Sequence, residues 1–438
     1  MKPFSTSRRA FIGGSIGAGI SVPNVVLGLG ERSLPSNRIT VGLIGCGGRG
    51  VSVLNSFLSQ EDVQVVAVCD AYKQHHRGQG SGKAFGSGPA SELVGRRYQS
   101  KPCDVYSDYR ELCSRGDLDA VIVATPDHWH AIQSMEALRH GKDIYCEKPV
   151  THFFAEGRQL HQEVTRRGAV FQTGSQQRSN RVFRKAVNLV RNGVIGSIKE
   201  VQVGLPGGPN MIGGDADLID RSDDADYGMW TGPAPMLPYC HARHHRLWRW
   251  HLAYGGGQLM DWIGHHNDIC HWGLGEDLGG PVRVEARNFR ATSIDVYSAP
   301  VAYEVHCDYA NGVRTSLGTH NRGGTTFLGE NGWVHVNRGR LETSDPKWLA
   351  ATFNPGSFRA YYSDNHTRNF IDCVKSRKQT ICSAEVSHRS ITPGHLGYVS
   401  QAVGRPLRWN PTNETIVGDQ QAQAHLNTVH HRGPWTMG

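Results

Sequence analysis

Two short stretches carry residue types that could move a proton and stabilise a developing oxyanion. The first is Cys146-Glu147-Lys148-Pro149. A lysine ammonium can donate to a substrate oxygen and stabilise it as alkoxide character develops. Pro149 fixes its own φ and restricts Lys148 to extended conformations, so the lysine is held. The second is Asp261-Trp262-Ile263-Gly264-His265-His266. Asp261 and His265 stand four apart, which on a helix puts them on one face. An imidazole titrates near neutral pH and can act as a general base. His266, a quarter turn away, is a further candidate for substrate contact. Taken singly, each stretch has a plainer reading: a solvated Glu-Lys pair closing a strand, and a surface ion pair. The surrounding elements decide between the readings.

Arg38-Ile39-Thr40-Val41-Gly42-Leu43-Ile44 is a buried-strand pattern. Gly45-Cys46-Gly47-Gly48-Arg49-Gly50 follows at once, then a helix over 51–59 and a second strand over 63–70 that ends in Asp70. Strand, glycine turn, helix and an acid twenty residues on form the context that makes G-x-G-x-x-G a dinucleotide site. Gly45 permits the tight turn, Gly47 lets backbone approach a pyrophosphate, and Gly50 lets helix and strand pack. With Gly48 and Arg49 at the helix start, N–H groups face the phosphates. Asp70 suits the adenine-ribose diol and repels a 2′-phosphate, so NAD is expected over NADP. The polar, glycine-rich stretch 71–100 reads as an insertion or lid, helical near 91–98. A strand over 119–124 leads into Thr125-Pro126-Asp127-His128-Trp129-His130 and a helix over 131–140. Strands and helices alternate, so the fold class is α/β with a doubly wound parallel sheet. The Glu147-Lys148 pair follows a strand end, where such sheets place their chemistry.

Four features now stand in order: Gly45-x-Gly47-x-x-Gly50, Asp70, Ala124-Thr125-Pro126 and Glu147-Lys148-Pro149. Together they resemble the Gfo/Idh/MocA family, the glucose–fructose oxidoreductase and inositol dehydrogenase group. The resemblance implies an N-terminal Rossmann domain, 38–173, and a C-terminal α/β domain, 174–438, with an open, mainly antiparallel sheet. It implies that Glu147 contacts the nicotinamide ribose and Lys148 the substrate hydroxyl. It places Thr125, Pro126 and His130 beside the cofactor, with Gln176 the polar residue near the nicotinamide. Asp261-x-x-x-His265 falls where the family carries its second catalytic motif. A homodimer or homotetramer formed through the sheet is the implied assembly.

The second half is expected to open with a helix over 178–193, in which Arg178 is a substrate-contact candidate, and a strand over 198–205. The segment 206–252 is rich in Gly, Pro and Asp and reads as a binding loop. It holds Trp230-Thr231-Gly232-Pro233 and Leu247-Trp248-Arg249-Trp250. Aromatic rings beside an arginine suit a sugar, so Trp230 and Arg249 are substrate-contact candidates, with small satellite cores as the plainer reading. A helix over 258–274 carries Asp261 and His265. Alternating runs at 301–309, 313–319 and 332–337 read as antiparallel strands, and helices at 366–376 and 384–398 close the domain. Seven of the 23 histidines fall between 241 and 271, yet no ordered ligand motif appears, and no metal is expected.

The whole chain has 438 residues, a net charge of +8 and scattered basic residues, which excludes a nucleic-acid stripe or polybasic membrane patch. Ten cysteines without CxxC spacing read as reduced and apolar. Ser7-Arg8-Arg9-Ala10-Phe11-Ile12 opens an apolar segment to about residue 29 that looks like a twin-arginine export signal, with 1–37 as signal and linker. That route carries folded proteins to the periplasm, where no free NAD pool exists. The leading expectation is therefore an NAD-dependent oxidoreductase acting on a secondary hydroxyl of a sugar, polyol or glycoside, with retained cofactor. A redox-neutral glycoside-cleaving enzyme is the alternative, although the Gly-Gly-His-Gly-Gly signature of such relatives is absent. A non-catalytic, NAD-bound sugar sensor is the third reading, and one that has no need of Lys148, Asp261 and His265 together.

Overall fold

The computed structural model describes residues 37–76, 82–221 and 223–437. The export-signal stretch lies outside the described residues. The first half forms a six-stranded parallel sheet in the order Asp104–Tyr106, Val63–Cys69, Ile39–Ile44, Ala120–Val123, Asp143–Cys146, Phe171–Thr173. Val41, Leu43, Ala120 and Ile122 are fully buried, as strands covered on both faces require. Strand order reverses between Ile39–Ile44 and Ala120–Val123, and the chain leaves these neighbouring strands at Gly45 and Ala124. A crevice at this switch point is where such sheets bind ligands.

The second half forms an open nine-stranded sheet. Ile198–Gly204 pairs in parallel with Arg314–Gly318, and the other pairings are antiparallel. The helix Gly257–Leu274 lies on this sheet: Thr325 Oγ1 donates to the His266 carbonyl at 2.8 Å. Its other side faces the first domain, where Lys148 Nζ donates to the Asp261 carbonyl at 2.8 Å. This helix therefore bridges the two halves and carries Asp261 to the switch point.

Several elements differ from expectation. The stretch 178–193 is not one helix: a 3-10 turn, Gln176–Ser179, is followed by Arg181–Arg191. Asn180 separates them because its side chain accepts from the Val182 N–H at 2.9 Å and caps the second helix. The expected lid holds a short hairpin, His75–His76 with Ala84–Phe85, and a full helix, Ser87–Tyr98. The segment 206–252 contains a helix, Ala225–Thr231, and 3-10 turns. Ala384–Val403 continues through Pro393 rather than ending at 398. The helix His366–Ser376 leaves its own sheet and packs on the first one. The Phe370 ring sits 6.0 Å from Phe57, and Arg368 pairs with Asp62 at 2.6 Å. All ten cysteines are free. Among the described residues no helix is long and apolar enough to cross a membrane.

Candidate active site

A cavity of about 900 Å³ runs from the Gly45–Gly50 turn to the first turns of the Asp261 helix. At its phosphate end, Gly45 has φ +91°, and a Cβ there would lie 2.6 Å from the Ala124 carbonyl carbon. A Cβ on Gly50 would lie 1.8 Å from the Gly45 carbonyl oxygen, so this glycine is needed for the helix Gly48–Leu58 to approach the strand. Gly47 differs: it lines the cavity, and a Cβ there would meet no protein atom within 4 Å. That open space above helix N–H groups fits a pyrophosphate. Gly48 and Arg49 line the same end.

Asp70 accepts from the Cys46 N–H at 2.7 Å and the Tyr72 N–H at 3.0 Å, which aims its carboxylate into the cavity. Burial raises its pKa, with His75 opposing. Each oxygen keeps a lone pair, so a ribose diol fits. Thr125 and Pro126 line the cavity, with Thr125 Oγ1 donating to Gln133 Oε1 at 2.8 Å. His130 also borders it, but its ring nitrogens sit 2.7 Å from the Pro149 carbonyl and 2.9 Å from that of Thr125. His130 therefore fastens the Thr125 loop to the Lys148 loop and has no nitrogen left for the cofactor. Glu147 is buried, and its Oε1 accepts from Arg49 Nη2 at 2.8 Å and Gln176 Nε2 at 3.2 Å. Gln176 Nε2 also donates to the Tyr145 hydroxyl at 2.8 Å. A Cβ on Gly174 would meet Glu147 Oε1 at 2.4 Å, so only glycine leaves room for this carboxylate.

Lys148 Nζ donates to Asp261 Oδ1 and to the Asp261 carbonyl, both at 2.8 Å. An ammonium has three N–H groups, so one is left for a substrate oxygen. The Lys148–Pro149 peptide is cis. Arg249 Nε lies 3.7 Å from Asp261 Oδ1. Burial alone would raise the Asp261 pKa, but Lys148 and then Arg249 pull it below its ordinary value. Asp261 thus orients the lysine. His265 lines the same cavity with Nδ1 buried and unpartnered. Burial, then the charges of Lys148 and Arg338, hold its pKa well below the usual histidine value. It is therefore neutral at neutral pH, with a lone pair available.

Two substrate-contact candidates are placed elsewhere. Arg178 is buried, with its Nε 2.7 Å from Asp268 and an Nη2 2.8 Å from Asp277. Both carboxylates are needed to bury a guanidinium, so this cluster serves structure. His266 is buried and stacked on Trp262, ring centres 5.7 Å apart, because it points back along the helix rather than toward Lys148. Trp230 borders the cavity but is mostly enclosed by Tyr227, Tyr254 and His244, the satellite core of the plainer reading.

Two residues escaped the sequence reading. Asp127 begins the helix Asp127–Arg139, is buried and lines the cavity. Burial, then the charge of Asp261, pushes its pKa up to about 8. Its position after Thr125-Pro126 was visible, but an acid at a helix start is ordinary and drew no notice. Arg338 lines the cavity from the turn between Gly332–Asn337 and Arg340–Thr343, its guanidinium 4.8 Å over the Trp262 ring. No sequence signal marks it. Among the described residues, one cluster could hold a metal: His161, His388 and Glu414. It lies outside this cavity, and Glu414 already pairs with His388 at 2.8 Å and Arg389 at 3.5 Å.

A switch-point cleft with a phosphate turn, a lysine just past the end of a parallel strand, and an acid and a histidine brought to it by the helix Gly257–Leu274 is the arrangement of a dinucleotide-dependent oxidoreductase. Residues 39–175 match the family model described as oxidoreductase family, NAD-binding Rossmann fold, and residues 182–437 match that family's C-terminal alpha/beta domain. The chain belongs to the Gfo/Idh/MocA oxidoreductase family, and its cofactor is NAD. It is 30% identical over 161 residues to a 2,7-anhydro-N-acetylneuraminate hydratase of Mediterraneibacter gnavus, covering 36% of this chain and 38% of that protein. It is 28% identical over 213 residues to glycosyl hydrolase family 109 protein 1 of a Shewanella species, covering 44% of each. The chain thus aligns with less than half the length of these curated relatives. Its fold is shared with the WlbA dehydrogenase from Bordetella pertussis, solved with NADH and UDP-GlcNAcA, at a TM-score of 0.60 and 18% identity, covering 85% of this chain and 99% of that one. It is shared equally with the aldose-aldose oxidoreductase from Caulobacter crescentus, complexed with glycerol, at a TM-score of 0.60 and 16% identity, covering 85% and 99%.

Proposed function

We propose that this chain oxidises a secondary hydroxyl of a sugar, polyol or glycoside, with NAD held through the whole cycle and the NADH formed reset by reducing the carbonyl of a second sugar. The observation that carries the reading is the free donor of Lys148 in the same cavity as neutral His265 and the phosphate turn. NAD supplies a hydride acceptor when bound. Lys148 donates to the substrate hydroxyl oxygen and stabilises its developing negative charge. His265 takes the hydroxyl proton as the C–H hydride leaves. Asp261 holds Lys148 in place and balances its charge. Twin-arginine export to the periplasm, and assembly as a dimer or tetramer through the nine-stranded sheet, belong to the same reading.

Net cleavage of a glycoside is a second reading, favoured by Asp127 and by the names of the two curated relatives. The ketone formed first acidifies the neighbouring C–H. Loss of that proton to water in the cavity expels the glycosidic oxygen, which takes a proton from neutral Asp127. Water then adds, giving its proton to the Asp127 carboxylate; the neighbouring carbon takes a proton back, and the hydride and the hydroxyl proton return to the ketone, so the cofactor ends as it began. Mass spectrometry of the purified, dialysed protein tests retention, and nicotinamide absorbance during a screen of sugars and glycosides tests chemistry. Retained NAD(H) with reduction by a glycoside is the expected result. Aglycone release without net reduction selects the second reading. A cofactor-free protein with millimolar NAD affinity overturns both.

A further inference from the structure

The substrate end of the cavity carries more positive charge than its own carboxylates balance. Lys148, Arg249 and Arg338 converge there, and Asp261 is shared by the first two at 2.8 and 3.7 Å. Glu147 is engaged by Arg49 at 2.8 Å. Arg338 makes no ion pair among the described residues; it rests on the Trp262 ring. Arg249 Nε is buried without a hydrogen bond, while the guanidinium stacks 4.8 Å from the Trp248 ring. Three cations thus face one anion if Asp127 is neutral, and two anions if it is ionised. Arg49 is near enough for its charge to act on Arg338 and His265, but Glu147 already balances it, so it does not relieve the excess. Arg338 sits on Trp262, the neighbour of Asp261, and its charge acts on His265. Guanidinium groups in such a place pair with planar or tetrahedral oxyanions through two parallel N–H bonds.

We infer that the sugar bound here carries an anionic substituent, a carboxylate or a phosphate, which Arg338 and Arg249 hold across from Lys148. The inference rests on the reading that the Asp261 end of the cavity is the substrate subsite. An anionic group there would fill the missing charge, accept from the Arg338 guanidinium, and fix which hydroxyl faces Lys148. A neutral hexose would leave the same excess of charge in a half-enclosed pocket.

Calorimetric titration of the NAD-loaded protein tests this with glucuronate and galacturonate, the corresponding 6-phosphates, and the two neutral hexoses. At least one anionic probe should bind about tenfold or more tightly than its neutral parent, a difference of about 1.4 kcal/mol. The comparison of uronates with phosphates identifies the anion. Arg338 is exposed on a hairpin turn, so Arg338→Gln should fold, and it should cut the anionic advantage to about threefold or less. Added salt should erode the same advantage. Equal or tighter binding of the neutral hexoses, an advantage that survives Arg338→Gln, or binding of none of the probes would overturn the inference. Nicotinamide reduction is read separately. An anionic sugar bound through Arg338 without reduction sinks the oxidoreductase reading alone, and turnover of neutral sugars only sinks this inference alone.

Discussion

Gly47 and Gly50 stand three residues apart in one turn, and substitution by alanine should separate cofactor binding from folding. At Gly50 the new Cβ would sit 1.8 Å from the Gly45 carbonyl oxygen, a backbone atom, where real Cβ contacts stay beyond 3.0 Å. More than 1 Å of separation must therefore be found between helix and turn. Overpacking on this scale costs about 1–3 kcal/mol, or a fall in Tm of roughly 2–12 °C. At Gly47 the new methyl meets no protein atom within 4 Å, so the fold should be unaffected. It would instead stand in the space proposed for the pyrophosphate. Loss of about 100-fold in NAD affinity is expected, close to 2.7 kcal/mol. The assay is paired: NAD(H) content of each purified variant by mass spectrometry, and its melting curve with and without added NAD. Wild type should carry cofactor and melt higher for it, since saturation at 100 times Kd adds about 2.7 kcal/mol. Gly47→Ala should purify empty and melt like stripped wild type, while Gly50→Ala melts below both. A Gly47→Ala protein that carries a full complement of NAD would refute the placement of the phosphates.

Lys148→Met and His265→Ala should each lower kcat by about 100-fold or more while NAD retention persists. Lys148→Met should destabilise less than the 3–5 kcal/mol typical of an orphaned buried charge, because Arg249 still faces Asp261; near-normal turnover in either variant would show that the wrong residues have been chosen. Asp127 is pushed up to about 8, so its acid form is present below that pH and lost above it. Glycoside cleavage should fall as pH rises through about 8, and Asp127→Asn should abolish that limb and be rescued by a better leaving group; an unchanged limb removes Asp127 from the chemistry. Asp70→Ala should shift the ratio of NAD to NADP affinity by about tenfold or more toward NADP, measured by titration of stripped protein. Arg8→Lys with Arg9→Lys should keep a folded reporter inside the cell, and unimpaired export would remove the twin-arginine reading.

Local pattern and short spacing made much of this site legible. The strand ending at Ile44, the glycine turn and the acid at Asp70 lie within 33 residues of each other and obey one packing geometry. The helix carrying Asp261 and His265 is expected over 258–274 and is found at Gly257–Leu274, although it is buried almost all round and shows no one-sided apolar pattern. Arg178 was misplaced because the carboxylates that bury it come 90 and 99 residues later, and no local pattern announces them. His266 was recoverable in principle, since Trp262 stands four residues before it and aromatic side chains so spaced can stack. Asp127 looked ordinary because a helix start accommodates acids, and only burial beside Asp261 makes it unusual. Arg338 reaches the cavity from a hairpin tip, a position set by the sheet's pairing and not by its own neighbours.

The helix His366–Ser376 sets a timetable for the chain's synthesis. Phe370 and Ile371 are wholly buried among residues of the first sheet, with Phe370 against Phe57. At roughly 5–20 residues per second, the ribosome needs on the order of 15–60 s after making Phe57 to deliver that partner. Throughout that interval the nucleotide-binding half has an unsealed apolar face, and a nascent-chain binder has something to hold. If export follows the twin-arginine reading, the transporter would have to wait for this late-made helix. A stop codon placed at 365 should leave the entire Rossmann sequence translated and its core still open.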